Sequence, residues 1–217
     1  IYIANGHGVW EAALQNILSH GDRVLVPTVG MFGKGWASMA ESIWASVELM
    51  EFPNLQPMDM LAIKARLEAD TAHEIKAVLI THVDTSSSIK TDPAALRAVL
   101  EETGHPALLG VDCIASLGCD RFEMDAWGVD LMVAASQKGM MTPPGVGFVF
   151  FNDRAASLRN RIAHVSGYWD WKQRVKPDAF YQYFGGTAPT HHLYGLRAAL
   201  DMLLEEGLEQ VWHRHEV

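Results

Sequence analysis

Apolar residues along the chain follow two alternating patterns, short continuous runs and longer segments with helical spacing. The short runs have the length and composition of buried strands. They predict strands at Arg23–Pro27, Ser46–Glu51, Ala77–Thr81, Ala107–Asp112, Leu131–Ala134 and Gly147–Phe151. The opening residues predict one more strand and a turn before the first helix. Strands that alternate with helices are typical of an α/β fold, with a mostly parallel sheet flanked by helices on both faces.

The longer segments carry signals for where helices begin and end. Gly21 suits the end of the first helix, and Gly104 suits the end of the fourth. The fourth helix begins with Thr91 or Asp92 as its cap, followed by Pro93 in its first turn. Helices are predicted over residues 7–18, 35–44, 57–70, 91–104 and 188–212, the last one interrupted near Gly207.

The composition narrows the choice of partners. The chain has 217 residues, 49% of them hydrophobic, which is enough for a sizeable core. Its formal net charge of −9 argues against nucleic acid or an anionic membrane, because binding phosphates needs a basic face. No apolar run approaches the roughly 20 residues of a membrane span. Cys113 and Cys119 lack the neighbours that a zinc site or a disulfide framework requires, so we expect no metal and a reducing, cytoplasmic location.

Residues capable of chemistry follow several of the predicted strands, where ligands of open α/β sheets bind. These ends carry a glycine-rich turn, a hydroxyl, a carboxylate, an amide and an amine, at Gly6 and His7, Thr85, Asp112, Gln137 and Lys138. Glycines before a helix allow a phosphate to approach its N–H groups. Each position also has a plainer interpretation. The glycines form an ordinary turn, Asp112 caps a helix, and Lys138 extends its ammonium into water.

Four longer stretches hold these residues in one order. They read GHGVWEAALQNILSHGDRVLV, THVDTSSS, ALLGVDCIASLGCDRFEMDAWGVDLMVAASQKGMMTPPGVGFVF and YFGGTAPTHHLYGLRAALDMLLEEGLE. In these stretches the sequence resembles the class V pyridoxal-phosphate (PLP) aminotransferases, close to the serine–glyoxylate and alanine–glyoxylate branch. The resemblance implies the PLP-binding large domain of a fold type I enzyme over residues 1–217. We expect the family's N-terminal arm and C-terminal small domain to lie outside this sequence.

The resemblance assigns roles around the cofactor ring. Lys138 takes the place of the lysine that binds PLP covalently and moves the proton, a role that suits a partly desolvated amine. Asp112 takes the place of the carboxylate that keeps the pyridine nitrogen protonated. The family's stacking aromatic falls on Phe32, which would otherwise be a core residue. The family's hydroxyl near the phenolic oxygen falls on Thr85, which would otherwise be an ordinary loop residue.

The resemblance also implies a phosphate site shared between two subunits. The backbone N–H groups around Gly6 and His7 and the side chain of Gln137 would hold the phosphate from one subunit. The hydroxyl from the second subunit falls on Thr187, so we expect a homodimer with active sites at its interface. The resemblance leaves open whether the side chains of Asn5, Tyr183 or Phe184 touch the cofactor.

The expected reaction is transfer of an amino group from serine, alanine or aspartate to a 2-oxo acid, and the resemblance favours glyoxylate. It also places the arginine for the substrate carboxylate outside this sequence, and implies a peroxisomal location if the source is eukaryotic. Two alternatives stay open. One is a class V lyase or desulfurase, although Cys113 and Cys119 look unsuited as a mobile catalytic cysteine. The other is a non-catalytic PLP-sensing module, usually joined to a DNA-binding segment that this acidic chain does not show.

Overall fold

A six-stranded sheet forms the centre of the fold, in a computed structural model that describes residues 1–53 and 56–216. The strands are β1 (Arg23–Thr28), β2 (Ser46–Glu51), β3 (Ile75–Thr81), β4 (Val83–Asp84), β5 (Ile89–Lys90), β6 (Leu108–Asp112), β7 (Leu131–Ala135) and β8 (Gly147–Phe151). Six of them form the sheet in the order β2-β1-β3-β6-β7-β8, and β4 pairs with β5 in a separate hairpin. Within the sheet all neighbours are parallel except β7 and β8. The predicted mostly parallel sheet is confirmed.

Helices join the strands and cover both faces of the sheet. They are α1 (Gly6–Ile17), α2 (Met31–Ser42), α3 (Met60–Ala69), α4 (Pro93–Glu102), α5 (Asp153–Arg159), α6 (Lys172–Val175), α7 (Thr190–Glu206) and α8 (Leu208–His213), with a 3-10 helix at Phe180–Phe184. The predicted interruption at Gly207 is confirmed, because this residue has a φ of 86° between α7 and α8. The predicted opening strand is wrong. Tyr2 forms a single bridge with Gly147 and no longer ladder.

The sheet separates two hydrophobic cores. Alternate residues of β3 point to opposite sides, so Leu79 packs with Trp10 and Trp36 of α1 and α2, whereas Ile80 packs with Leu96 of α4. All five of these side chains are fully buried. A strand covered on both faces explains why residues 77–80 of β3 form a continuous apolar run, without polar alternation.

The helices of the described residues are too short or too polar to cross a lipid bilayer. Among the same residues, His, Cys, Asp and Glu side chains form no group of three or more that is suited to bind a metal ion. Cys113 is a free thiol in the core, and Cys119 is a free thiol at a partly exposed position.

Candidate active site

Three parallel strands end side by side at one edge of the sheet. Their register pairs Thr81 of β3 with Asp112 of β6, and Asp112 with Val133 of β7. Lys138 lies in the loop that joins β7 to β8. The structure thus places the predicted carboxylate beside the strand that leads to the predicted lysine, at the edge where such sheets bind ligands.

Asp112 is buried at the end of β6, and both of its carboxylate oxygens accept a hydrogen bond. The indole Nε1–H of Trp10 donates to Oδ2 at 2.9 Å, and the backbone N–H of Ile114 donates to Oδ1 at 2.7 Å. Burial raises the pKa of Asp112 to about 7; the two hydrogen bonds oppose this rise and the charge of Asp84 adds to it. A carboxylate in this position favours a cationic partner, whose charge would restore its ionised form.

The first turn of α1 lies against the same region. The side-chain Oδ1 of Asn5 caps this helix by accepting from the Gly8 N–H at 3.2 Å. Within the described residues, the N–H groups of Gly6 and His7 donate no hydrogen bond, so the positive end of the helix is available to an anion. A Cβ on Gly6 would lie 2.6 Å from Cδ1 of Ile114. Glycine therefore lets α1 begin this close to the end of β6.

The loop after β7 that carries Gln137 and Lys138 is held by Ser136. The Ser136 N–H donates to Val146 O at 2.9 Å, and its hydroxyl donates to Pro143 O at 2.9 Å. Gln137 is half-buried, and its Oε1 is buried without a hydrogen-bond partner in the described part of the chain. The side chain of Lys138 is exposed. The described residues of this chain alone therefore do not provide the partly desolvated surroundings expected for the lysine.

Asp84, a residue that sequence reasoning missed, connects the segments that carry Phe32 and Thr85. The Oδ2 atom of Asp84 accepts from the N–H of Phe32 at 3.0 Å, and Asp84 directly precedes Thr85 in the chain. Phe32 is 37% exposed, so it is not the core aromatic that the plainer interpretation expected. Thr85 is also exposed. Both side chains that are predicted to bind the ring are thus exposed. The buried carboxylate of Asp84 connects the two segments that carry them.

Thr187 is exposed and lies on a separate segment, after the 3-10 helix. Arg174 holds this segment, because its guanidinium donates to Tyr183 O at 3.3 Å and to Tyr168 O at 2.6 Å. The two aromatic positions among those left open by the sequence differ in burial, since Phe184 is buried and Tyr183 is exposed. No hydrogen bond within the described residues joins Thr187 to the groups around Asp112. Its expected role toward a second subunit therefore remains a prediction.

His82 follows Thr81, but its side chain lies on the face of the sheet opposite to Trp10 and Trp36. Its Nδ1 lies 2.9 Å from the Ser116 hydroxyl, and its ring packs edge-on against Phe122 and Trp127. Burial lowers the pKa of His82 to about 4. This histidine is therefore a neutral core residue, although it stands at the end of a central strand.

Comparison with known proteins agrees with this geometry. A family model described as aminotransferase class-V matches residues 2–217. The chain is 39% identical to a serine–glyoxylate aminotransferase of Methylorubrum extorquens, over 100% of the chain and 55% of that protein. It is 38% identical to an L-aspartate–glyoxylate aminotransferase of Paracoccus denitrificans, over 99% of the chain and 54% of that protein. The chain thus spans about half the length of the curated relatives it matches.

A solved structure shows the same fold at similar coverage. The crystal structure of an alanine–glyoxylate aminotransferase from Nostoc sp. superimposes with a TM-score of 0.89 at 30% sequence identity, covering 99% of this chain and 56% of that one. The family match extends over nearly the whole sequence, and the sheet edge brings Asp112 next to the strand that leads to Lys138. The chain therefore belongs to the class-V aminotransferase family.

Proposed function

We propose that this protein is a PLP-dependent aminotransferase that moves an amino group from a small amino acid to a 2-oxo acid, with glyoxylate as the favoured acceptor. Residues 1–217 serve as its PLP-binding large domain. The acceptor is supported by the relatives, which are named for glyoxylate and for serine, aspartate or alanine as donor. Because the named donors differ, the proposal leaves the donor as one of these three.

The observation that carries the proposal is the buried carboxylate of Asp112. Its raised pKa means that the hydrogen bonds from Trp10 and Ile114 do not replace the hydration lost on burial. A protonated pyridine nitrogen is a flat cation with one N–H donor, which suits such a carboxylate. When bound there, PLP would supply an electron sink for the electron pair left at the substrate Cα after proton removal. Asp112 would keep that sink strong by holding the proton on the nitrogen.

The phosphate of PLP fits the first turn of α1. The N–H groups of Gly6 and His7 make no hydrogen bond within the described residues, and a helix N-terminus favours an anion. Gln137 adds a half-buried amide, whose Nε2–H2 group can donate to a phosphate oxygen. These three residues are therefore proposed to hold the phosphate.

Lys138 is proposed to carry the cofactor and then to transfer protons. Freed by the incoming amino acid, its amine would take the proton from the substrate Cα and return it to C4′ of the cofactor. Phe32 would cover one face of the ring, and Thr85 would donate its hydroxyl near the phenolic oxygen. Both side chains are exposed on the segments that Asp84 connects, which leaves them available for these contacts.

A homodimer with shared sites is part of the proposal. Lys138, Phe32 and Thr187 are all exposed in the single chain, although the proposed chemistry requires exclusion of water. A second subunit that donates the Thr187 hydroxyl to the phosphate would also cover this edge. We further propose a cytoplasmic location, or a peroxisomal one in a eukaryote.

The thiols of this chain argue against the desulfurase alternative. A desulfurase needs a reactive thiolate, and burial raises the pKa of the Cys113 thiol well above its ordinary value. Cys119 is partly exposed, but burial raises the pKa of its thiol as well. Both thiols are therefore poor nucleophiles, which favours the aminotransferase over the desulfurase.

Borohydride reduction of the full-length protein loaded with PLP tests the assignment of the lysine. Reduction fixes PLP to the lysine that carries it, so peptide mapping should find the label on Lys138. The variant Lys138→Ala should carry no label. It should also lose about 10²–10⁴ in the rate at which an amino donor abolishes the visible absorption band, because the general base that removes the Cα proton is gone.

Lys90→Ala serves as the matched control, because Lys90 is an exposed lysine already paired with Asp120 at 2.7 Å. This variant should keep both the label and the spectral change, and glyoxylate should restore the starting spectrum. A label on Lys90 or Lys34 in the wild type would overturn the assignment of Lys138. A protein that stays colourless after incubation with PLP would overturn the proposed function.

A further inference from the structure

The first turn of α2 has no cap from its own segment. Its N-cap residue is Gly30, which has no side chain to accept a hydrogen bond. Instead, the N–H groups of Phe32 and Gly33 donate to Oδ2 of Asp84 at 3.0 and 3.2 Å, and the N–H of Met31 donates to the Ser86 hydroxyl at 2.7 Å. The cap therefore comes from the loop that carries Thr85.

Asp84 is fully buried, and both of its oxygens are used. Oδ2 accepts from α2, while Oδ1 accepts from the backbone N–H of Ser86 at 3.0 Å and from its hydroxyl at 2.6 Å. One carboxylate thus connects the start of α2 to the Thr85 loop. This carboxylate lies at the positive end of a helix, which stabilises a negative charge there.

Gly30 provides the space for this connection. A Cβ built on Gly30 would overlap the carboxylate of Asp84 and lie 2.6 Å from the Ser86 hydroxyl oxygen. The φ of Gly30 is −166°, a value that any residue adopts, so the glycine is required for space and not for backbone conformation. The close approach of the two segments therefore depends on a glycine on one side and an aspartate on the other.

Four other helices, α1, α3, α4 and α5, are capped by a side chain of their own segment. Asp59, Asp92 and Asn152 each accept from N–H groups two or three positions further along. Asp84 instead caps a helix whose capped residue Phe32 lies 52 positions away in the sequence. A residue of the same segment would be enough to cap α2. A cap from a distant part of the chain also fixes the position of its own segment relative to α2.

We propose that Asp84 is a positioning residue that holds Phe32 and Thr85 in a fixed relation, so that both meet the cofactor ring at once. This inference rests on the proposed function, since the ring in question is that of PLP. Asp84 itself is buried and acts through its neighbours, and it does not touch the cofactor. The negative charge of Asp84 also repels that of Asp112 and so contributes to the raised pKa of the Asp112 carboxyl.

The test compares Asp84→Asn with Asp92→Asn in the full-length protein loaded with PLP. Asparagine can accept on only one side, so Asp84→Asn loses either the bonds to α2 or those to Ser86. We expect PLP to bind about tenfold more weakly, as for one lost hydrogen bond to a charged acceptor. The visible circular dichroism of the bound cofactor should fall as well, because it reports how the ring is held. Asp92→Asn removes a carboxylate from a local cap and should change neither property.

A second pair of variants separates position from folding. Gly30→Ala should push the carboxylate aside and reproduce the effect on circular dichroism, whereas Gly195→Ala, where a Cβ meets nothing within 4 Å, should not. If Asp84→Asn does not fold, Ser86→Ala replaces it, because it removes the bond to Met31 but keeps the carboxylate. A lower melting temperature with unchanged PLP affinity and circular dichroism would reduce Asp84 to a structural cap. If the wild type itself binds no PLP, the proposed function fails instead.

Discussion

Replacing Asp112 with asparagine separates the effect of the carboxylate on folding from its effect on the cofactor. In the cofactor-free protein, burial raises the pKa of Asp112 from its ordinary value of 3.8 to about 7. A raised pKa means that the folded state favours the protonated form. The wild type therefore loses stability as the pH rises from about 4 through about 7. Asparagine carries no charge in this range, so the variant lacks that loss.

The expected magnitude follows from linkage. A pKa of 3.8 in the unfolded chain and about 7 in the folded one makes the wild type roughly 2–3 kcal/mol less stable at pH 8 than at pH 5, from this group alone. Asparagine also offers one acceptor to the two donors of Trp10 and Ile114, which costs about 1–3 kcal/mol. This cost is the same at both pH values and cancels in the comparison.

Urea unfolding of the cofactor-free, full-length protein at pH 5 and pH 8 measures the difference. The free energy of unfolding of Asp112→Asn, relative to the wild type, should rise by roughly 2–3 kcal/mol between the two pH values. Asp125→Asn, at an exposed position, controls for removal of a surface charge and should show no such change. Equal pH dependence in the wild type and Asp112→Asn would refute the assignment of a raised pKa to this carboxyl.

The same substitution should have the opposite effect once PLP is present. The proposed pyridinium stabilises the charged carboxylate, so removing that charge weakens cofactor binding and lowers the proton affinity of the ring nitrogen. The half-reaction with an amino donor should slow by about tenfold for each 1.4 kcal/mol of lost stabilisation, which stopped-flow absorbance measures. Rates near those of the wild type would mean that another carboxylate serves the nitrogen.

Two further predictions concern other parts of the chain. Thr187→Ala should weaken PLP retention about 10- to 150-fold while leaving the melting temperature of the cofactor-free protein unchanged; a structure of the full-length dimer with Thr187 far from both phosphates would contradict this. Burial raises the pKa of Asp70, but hydrogen bonds from Ile75 and His105 outweigh it and lower the pKa to about 2. Asp70→Asn should therefore lose stability in urea at pH 6, and the loss should shrink as the pH falls from about 4 to 2.

The six strands of the main sheet could be predicted from the sequence because each depends on its own segment. Residues 77–80, for example, are all apolar, and a strand covered on both faces has that pattern. The start of α2 could not be predicted in the same way. Residues 31–34 contain Gly33 and lack a local cap, so helical patterning begins only at residue 35. The true cap, Asp84, comes from a distant loop.

The same distinction applies to the site. Asp112 and Lys138 follow neighbouring strands, so the rule that ligands bind at the carboxyl ends of parallel strands was enough to group them. The partners that hold this region in place are distant in sequence, since Trp10 bonds to Asp112 across 102 positions and Asp84 bonds to Phe32 across 52. A tryptophan in an amphipathic helix predicts a core residue, and an aspartate in a polar loop predicts a turn. Neither pattern contains information about a partner in another element. The groups proposed to do the chemistry were therefore visible in one sequence, whereas those that position them required the fold.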